Sequence, residues 1–307
     1  MPVLEPDPWR QPFFASLRCP RGVVIPTKDP DAYELNPEYR WVYNKLAVAE
    51  SQGLACAPHG VRPTTYPVFK KPAFNLRSMG HGSRALRDAR DYDRHMSPGD
   101  MWMPLLTGAH VSTDLAVVDG RVAWLAHARG APAGGGTFDY WAILDGDADG
   151  LDGVLRAWVR RHLRRYTGMV NVETIGGRII EVHLRFADQW ADLYGPAWGR
   201  NLVALYAGHG WPRATPPRAA WSVVLFLPHG GPFQKPPAAL TAGLLRDDRV
   251  SSVQYPFHLD RSPSSHAMPP GGFRVAIVNG WDLDACVAAR RRIAAWYGKR
   301  SRRTRAA

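Results

Sequence analysis

Hydrophobic residues in this 307-residue chain occur in short runs bounded by glycine, proline or acidic turns, a pattern typical of β-strands. The stretch YPVFKKP predicts a strand that ends at two lysines and a proline. Gly176-Gly177, between two apolar runs, predicts a hairpin turn. The predicted strands and hairpins lie at 22–26, at 66–72, within 101–128 with breaks at Gly108 and at the Asp119-Gly120 turn, and at 169–186.

A helical period predicts helices in two further stretches. NPEYRWVYNKLAVAESQG is helical by pattern and ends at Gly53, and LDGVLRAWVRRHLRRY has an apolar face opposite an arginine-rich face. GAPAGGG, residues 130–136, predicts a flexible loop. Residues 220–298 follow the order strand, helix, strand, strand, helix, which predicts a small α+β module. The basic end, 299–307, predicts a disordered tail.

Composition narrows the class of protein. Residues are 45% hydrophobic and 21% charged, as in a globular protein, and the net charge of +12 favours anionic partners such as nucleotides, acidic substrates or nucleic acid. The three cysteines form no CxxC pair, which predicts a reducing, cytoplasmic environment without a disulfide framework. The amino terminus does not have a signal-peptide pattern, and no apolar run reaches the ~18–20 residues of a membrane span.

The hairpin at 169–186 carries the densest candidate chemistry. Side chains on a strand alternate between faces, so Glu181, His183 and Arg185 share one face, and Glu173 can lie across from Glu181. Carboxylates in this arrangement suit a divalent cation, and the arginine suits a phosphate or carboxylate. A solvated hairpin face is the alternative interpretation.

Two other stretches are ambiguous by themselves. A lysine at the end of YPVFKKP followed by the glycines of NLRSMGHGSR is compatible with a phosphate-binding loop, but the stretch by itself favours a surface loop. DGDADGLDG resembles an EF-hand loop but fails its pattern, since Asp152 stands where an apolar residue belongs and Arg156 where glutamate belongs. It predicts an acidic turn that caps the following helix.

Five stretches in order resemble the ATP-grasp superfamily over about residues 41–190. They are YNKLAVAESQGL, YPVFKKP, NLRSMGHGSR, MPLLTGAHVSTD and NVETIGGRIIEVHLR. In the family these positions hold a D/N-K helix start, a PVIVKP strand, a glycine-rich phosphate loop, a hinge strand and a metal-binding hairpin. The resemblance implies an α+β fold in which two α+β lobes grip ATP, with a small α+β C-terminal module.

The resemblance also implies roles for individual residues. Lys45 and Lys71 would hold the ATP phosphates, Glu173, Glu181 and His183 would bind Mg²⁺ or Mn²⁺, and Lys71 and Arg185 would act on the transferred phosphoryl group. The loop Met79, Gly80, His81, Gly82, Ser83 and Arg84 would close over the phosphates, and Met103, Pro104, Leu105 and Leu106 would meet the adenine.

Three features depart from the family. His183 replaces the metal-site asparagine, and imidazole suits Mn²⁺ better than Mg²⁺. A contact of His183 with the substrate or a phosphate is the alternative. Met103 replaces the hinge glutamate that holds ribose, which leaves Asp100 and Asp114 as alternatives. The lead-in of about 40 residues replaces a larger N-terminal substrate domain. An acid substrate is expected near Arg77, Arg84, Arg185 and the Gly134–Gly136 loop.

The resemblance divides the chain into an irregular lead-in at 1–40, an ATP-grasp core at 41–195, a C-terminal module at 196–298 and the tail. The core comprises a phosphate-loop lobe (41–110) and a metal-hairpin lobe (111–195). The implied activity is an ATP-dependent ligase that converts a small-molecule or peptide carboxylate into an acyl-phosphate for attack by an amine or thiol. The alternatives are a nucleotide-binding protein without turnover, a small-molecule kinase and a basic nucleic-acid-binding protein. A homodimer or another partner that completes the site is also compatible with the short lead-in.

Overall fold

The computed structural model describes residues 3–74, 76, 80, 82–231 and 233–306. The helices are α1 (Gln11–Phe14), α2 (Asp29–Leu35), α3 (Lys45–Glu50), α4 (Ala89–His95), α5 (Leu151–His162), α6 (Gly195–Tyr206), α7 (Ala238–Leu244) and α8 (Leu283–Ala306). The strands are β1 (Val3–Leu4), β2 (Ile25–Pro26), β3 (Ala57–Pro58), β4 (Val68–Pro72), β5 (Arg84–Leu86), β6 (Asp100–Pro104), β7 (His110–Val118), β8 (Arg121–Gly134), β9 (Thr137–Ile143), β10 (Gly168–Ile175), β11 (Arg178–His183), β12 (Ala220–Leu227), β13 (Val250–Gln254) and β14 (Phe273–Gly280).

An eight-stranded antiparallel sheet forms the centre of the fold. Its strand order is β11-β10-β7-β8-β9-β12-β14-β13. The predicted turns at Asp119-Gly120 and Gly176-Gly177 join neighbouring strands of this sheet, and all four residues have positive φ. The strands of the predicted 220–298 module belong to the same sheet, because β12 pairs with β9. The alternation of elements predicted for that segment is confirmed.

Helices cover the apolar parts of this sheet. Leu155 and Trp158 of α5 pack in one core cluster with Leu115 and Val170, and Cys286 and Ile293 of α8 pack in a second cluster around β12 and β14. The α5 side chains are those of its predicted apolar face. As the acidic-turn interpretation of DGDADGLDG predicts, Asp147 accepts hydrogen bonds from the backbone N–H groups of residues 150 and 152, both at 3.0 Å.

A second, four-stranded antiparallel sheet has the order β3-β6-β4-β5. The link between β6 and β7 connects it to the large sheet and packs against the turn of the β10–β11 hairpin. A Cβ at Gly176 would lie 2.3 Å from the carbonyl oxygen of Thr107, and one at Gly108 would lie 2.9 Å from the Cα of Gly176. Only glycine permits this approach, which fixes the small sheet against the hairpin.

Three local predictions are wrong. The helix predicted at 36–53 is a 3-10 segment, Pro37–Tyr43, followed by α3. Extended Asn44 separates them, and its side chain caps α3 by accepting from Leu46 N at 3.0 Å. The predicted loop at 130–136 is mostly strand, because β8 pairs with β9 as far as Gly134. The predicted disordered tail continues α8 to Ala306, since its arginine, lysine and alanine residues favour helix.

Candidate active site

A cleft of about 730 Å³ lies between the two sheets. The predicted site residues that line it are Lys45, Lys71, Gly80, Ser83, Met103, Pro104, Leu105, Leu106, Glu173, Glu181 and Arg185. Met79, His81 and Arg77 lie outside the described residues. The cleft therefore brings together most of the predicted set, drawn from both sheets and from α3.

The two adjacent lysines of β4 point to opposite faces. Lys71 lines the cleft and donates from Nζ to the carbonyl of Ile180 at 2.7 Å. Lys70 instead binds Asp100 and the carbonyl of His95 on the other face. Arg84 is the register partner of Lys70 and shares its face, so its guanidinium contacts His95 and does not line the cleft.

Lys71 is a cation in an environment that disfavours its charge. Burial, with a further contribution from Lys45, lowers the pKa of the Lys71 ammonium to about 8, against the opposing effects of Glu181 and Glu173. Lys45, at the start of α3, lies with Nζ 3.0 Å from Glu181 Oε1. Its backbone N–H donates to Ala73, which fixes α3 beside the end of β4.

The hairpin carboxylates are adjacent. Glu173 and Glu181 are register partners on β10 and β11, as the spacing predicts. Burial opposes ionisation of Glu173, but His110, at 3.1 Å, together with His183 and Arg185 keeps the pKa of its carboxyl well below the ordinary value. Glu181 Oε1 is buried and lies 3.0 Å from Lys45 Nζ. Two adjacent carboxylates on one face, with that of Glu173 ionised, fit a divalent cation.

His183 is not among the residues that line the cleft. Its Nδ1 lies 3.0 Å from Asp29 Oδ1 and its Nε2 lies 3.7 Å from Glu181 Oε1, so it holds Asp29 beside the hairpin. Asn171, its register partner on β10, does line the cleft. The Asn171 amide nitrogen donates to Ser112 Oγ at 2.9 Å and to Asp114 Oδ1 at 2.8 Å. A metal-ligand role for His183 remains a prediction.

The short lead-in forms one wall of the cleft, which the sequence analysis did not anticipate. Asp29 binds both His183 and Arg185, with Arg185 Nη2 2.9 Å from Asp29 Oδ2. Burial opposes ionisation of Asp29, but Arg185 and His183 outweigh it and keep its pKa well below the ordinary value. Arg10 and Lys28 both bind Asp188, which follows the hairpin. The signal was present in the charged residues of EPDPWR and PTKDPD.

The hinge segment 103–106 borders the cleft, but neither proposed ribose ligand does. Asp100 is paired with Lys70. Asp114 is enclosed by hydrogen bonds from Asn171, from the N–H of Ala187 and from the hydroxyl of Tyr194, and burial raises its pKa to about 6. Both aspartates are thus committed to the protein interior.

A separate group with metal-ligand spacing lies outside this cleft. It consists of His127, Asp147 and Asp152, and its ligand atoms all fall within 4.8 Å of one another. Both His127 nitrogens already have partners, Thr113 at 2.8 Å and Asp152 at 2.7 Å. These hydrogen bonds hold the first turn of α5, which contains Asp152, against His127 of β8.

The sequence matches no family model and no curated protein. The structure is similar to an L-amino acid ligase from Bacillus licheniformis (TM-score 0.63, 13% identity, 93% of this chain and 81% of that one). It is also similar to a phosphoribosylamine–glycine ligase from Thermotoga maritima (TM-score 0.60, 12% identity, 92% of this chain and 84% of that one). A third similar structure is the Aspergillus clavatus carboxyaminoimidazole ribonucleotide synthase complexed with ATP (TM-score 0.60, 10% identity, 86% of this chain and 80% of that one).

These solved structures are ATP-grasp enzymes. In this chain two sheets face each other across a cleft, with Glu173 and Glu181 on a hairpin of one sheet and Lys71 on a strand of the other. The chain has the ATP-grasp fold, which confirms the predicted α+β architecture. Within the described residues, every helix is too short or too polar to cross a bilayer.

Proposed function

We propose that this protein is an ATP-dependent ligase that activates a carboxylate as an acyl-phosphate for attack by an amine or thiol. The observation that carries the proposal is the placement of Lys45, Lys71, Glu173 and Glu181 around one cleft. Two ammonium groups suit the phosphates of ATP, and two carboxylates suit a divalent cation. The similarity to ATP-grasp ligases supports the same class of reaction.

The reaction balances without a protein nucleophile. A carboxylate oxygen of the substrate attacks the γ-phosphorus, the bond to the β,γ-bridging oxygen breaks, and ADP leaves. The amine nitrogen then attacks the acyl carbon, the carbon–oxygen bond to phosphate breaks, and inorganic phosphate and a proton are released. Position and charge are what the protein contributes to such a transfer.

Each cleft residue has a defined part in this proposal. Lys45 and Lys71 neutralise phosphate oxygens, and residues 103–106 contact the adenine. Glu173 and Glu181 would hold Mg²⁺ or Mn²⁺, for which two adjacent carboxylates on one face are suited. When bound, the ion supplies positive charge beside the phosphates. Arg185 is held in place by Asp29 and stabilises charge on the transferred phosphoryl group.

Trapping with hydroxylamine tests the proposal. The purified protein is incubated with ATP, Mg²⁺ or Mn²⁺ and a panel of carboxylic acids, with hydroxylamine in place of the amine. We expect ADP and a hydroxamate to form together, and both to be lost in Lys71→Ala and Glu181→Gln. The exposed residues Lys299 and Glu38 provide matched controls, and Lys299→Ala and Glu38→Gln should retain wild-type rates. ADP formation with an acid but without hydroxamate would contradict an acyl-phosphate intermediate.

A further inference from the structure

Arg274 lies on β14 and reaches the cleft from the C-terminal part of the chain. Its Nη1 donates to Gln189 Oε1 at 3.0 Å, while its Nε is buried and has no hydrogen-bond partner. Within the described residues, no carboxylate oxygen lies within 4.0 Å of a guanidinium nitrogen of Arg274, so Arg274 forms no ion pair there. Among the described residues, the guanidinium of this half-buried cation therefore has a neutral amide as its one side-chain hydrogen-bond partner.

The other arginines that line the cleft differ from Arg274. Arg10 is bound to Asp7 and Asp188, and Arg185 is bound to Asp29. Arg261 is exposed, so water solvates its charge. Burial, together with nearby Arg10, lowers the pKa of Arg274 to about 10 against the opposing effects of Asp188 and Asp7. A desolvated charge without a counter-ion destabilises a fold unless a ligand supplies the opposite charge.

The surroundings of Arg274 are built to hold it in place. The Gln189 amide that accepts from Nη1 also donates to Ser222 at 2.9 Å, so its orientation is fixed. Phe226 is the register partner of Arg274, and the Met268 sulfur accepts from the Arg274 backbone N–H at 3.3 Å. With Nη1 committed, the edge formed by Nε and Nη2 is left for a planar two-oxygen acceptor.

We propose that Arg274 binds a second anionic group of the substrate, a carboxylate or a phosphate, distinct from the carboxylate that reacts. This inference rests on the proposed function for the identity of the first group. The substrate class is accordingly an acid with two anionic ends. One end reacts beside Glu173 and Glu181, and the other is held by Arg274 between Phe226 and Met268, where low polarity strengthens the ion pair.

Matched small acids test this site without ATP. Succinate carries two carboxylates, 3-phosphonopropionate carries one carboxylate and one phosphonate, and butyrate has a single carboxylate on the same number of carbons as succinate. Affinities are obtained from the shift of the thermal unfolding midpoint with acid concentration. We expect the wild type to bind one or both two-anion acids at least tenfold more tightly than butyrate, and Arg274→Gln to lose this preference. A stronger effect of succinate identifies a carboxylate, and a stronger effect of the phosphonate identifies a phosphate.

Two further variants separate binding from folding. Arg274→Lys keeps the charge and should retain part of the preference, and Arg200→Gln, at an exposed helix position, should retain all of it. Without ligand, Arg274→Gln should unfold at the same temperature as the wild type or higher, because an uncompensated charge has been removed. If Arg274 served only to stabilise the fold, Arg274→Gln would instead unfold at a lower temperature than the wild type.

The inference is overturned if butyrate and the two-anion acids bind alike, or if Arg274→Gln keeps the wild-type preference. Its failure is distinguishable from failure of the ligase proposal. An Arg274-dependent preference without ATP-dependent hydroxamate formation supports the anion site and contradicts the ligase. Hydroxamate formation with equal affinity for one-anion and two-anion acids supports the ligase and contradicts the anion site.

Discussion

Arg185, which follows the β10–β11 hairpin, binds Asp29 of the lead-in, with Nη2 2.9 Å from Oδ2. The two residues are 156 positions apart in sequence, and the same carboxylate also binds His183. The lead-in thus sets the position of an arginine that lines the cleft, and it also contributes one wall of the cleft.

Asp29→Asn should destabilise the protein by about 3 kcal/mol at pH 7, because it leaves Arg185 buried without its counter-ion. The folded-state pKa of Asp29 is lowered, so its contribution to the free energy of unfolding is present above its unfolded pKa. That contribution is lost as pH falls below about 4. The difference in free energy of unfolding between the wild type and Asp29→Asn, measured by denaturant titration, should therefore become smaller in acid. Asp248→Asn, at an exposed position, should change stability little at either pH.

A destabilisation by Asp29→Asn that is equal at pH 7 and in acid would show that charge pairing is not its cause. The same variant should lower the rate of hydroxamate formation more than the affinity for ATP, because Arg185 is assigned to the transferred group.

ATP affinity should fall as pH rises through about 8, where the Lys71 ammonium loses its proton. Burial lowers this pKa in the free protein, and only the charged form attracts phosphate. Lys71→Arg keeps its charge throughout and should show a flat profile between pH 7 and 9.5. Calorimetric titration of ATP and Mg²⁺ across this range measures both proteins. A flat wild-type profile would exclude Lys71 as a phosphate ligand.

Gly176→Ala should cost more stability than Gly177→Ala. Both glycines have positive φ, so each alanine carries a backbone penalty of about 1–2 kcal/mol. Only the Cβ at residue 176 meets another atom, the Thr107 carbonyl oxygen at 2.3 Å, whereas residue 177 has open space. The steric clash should add about 1–3 kcal/mol. Equal free energies of unfolding for the two variants would show that the hairpin turn does not pack on the β6–β7 link.

Local patterns predicted the parts of the site that lie close together in sequence. Strand alternation predicted the pairing of Glu173 with Glu181, because this pairing depends only on the pleat and one turn. The order of the motifs predicted the fold.

Long-range packing determined the rest. Asp29 and Arg274 reach the cleft from opposite ends of the chain, and neither belongs to a recognisable motif. The family resemblance predicted His183 as a metal ligand, which remains a prediction. Its contact with Asp29 through Nδ1 joins residues far apart in sequence and could not be predicted from strand parity. The Asn44 cap likewise interrupted a helix whose hydrophobic pattern was continuous.

Calorimetric titration of ATP in the presence of Mg²⁺ tests the central claim most directly, since the roles proposed for Lys45, Lys71 and the hairpin carboxylates all depend on a nucleotide site in this cleft. The wild type should bind ATP, and Lys71→Ala and Glu181→Gln should each weaken binding at least tenfold. Lys299→Ala and Glu38→Gln should bind as the wild type does. Equal ATP affinity in all five proteins, or no binding by the wild type, would contradict the account.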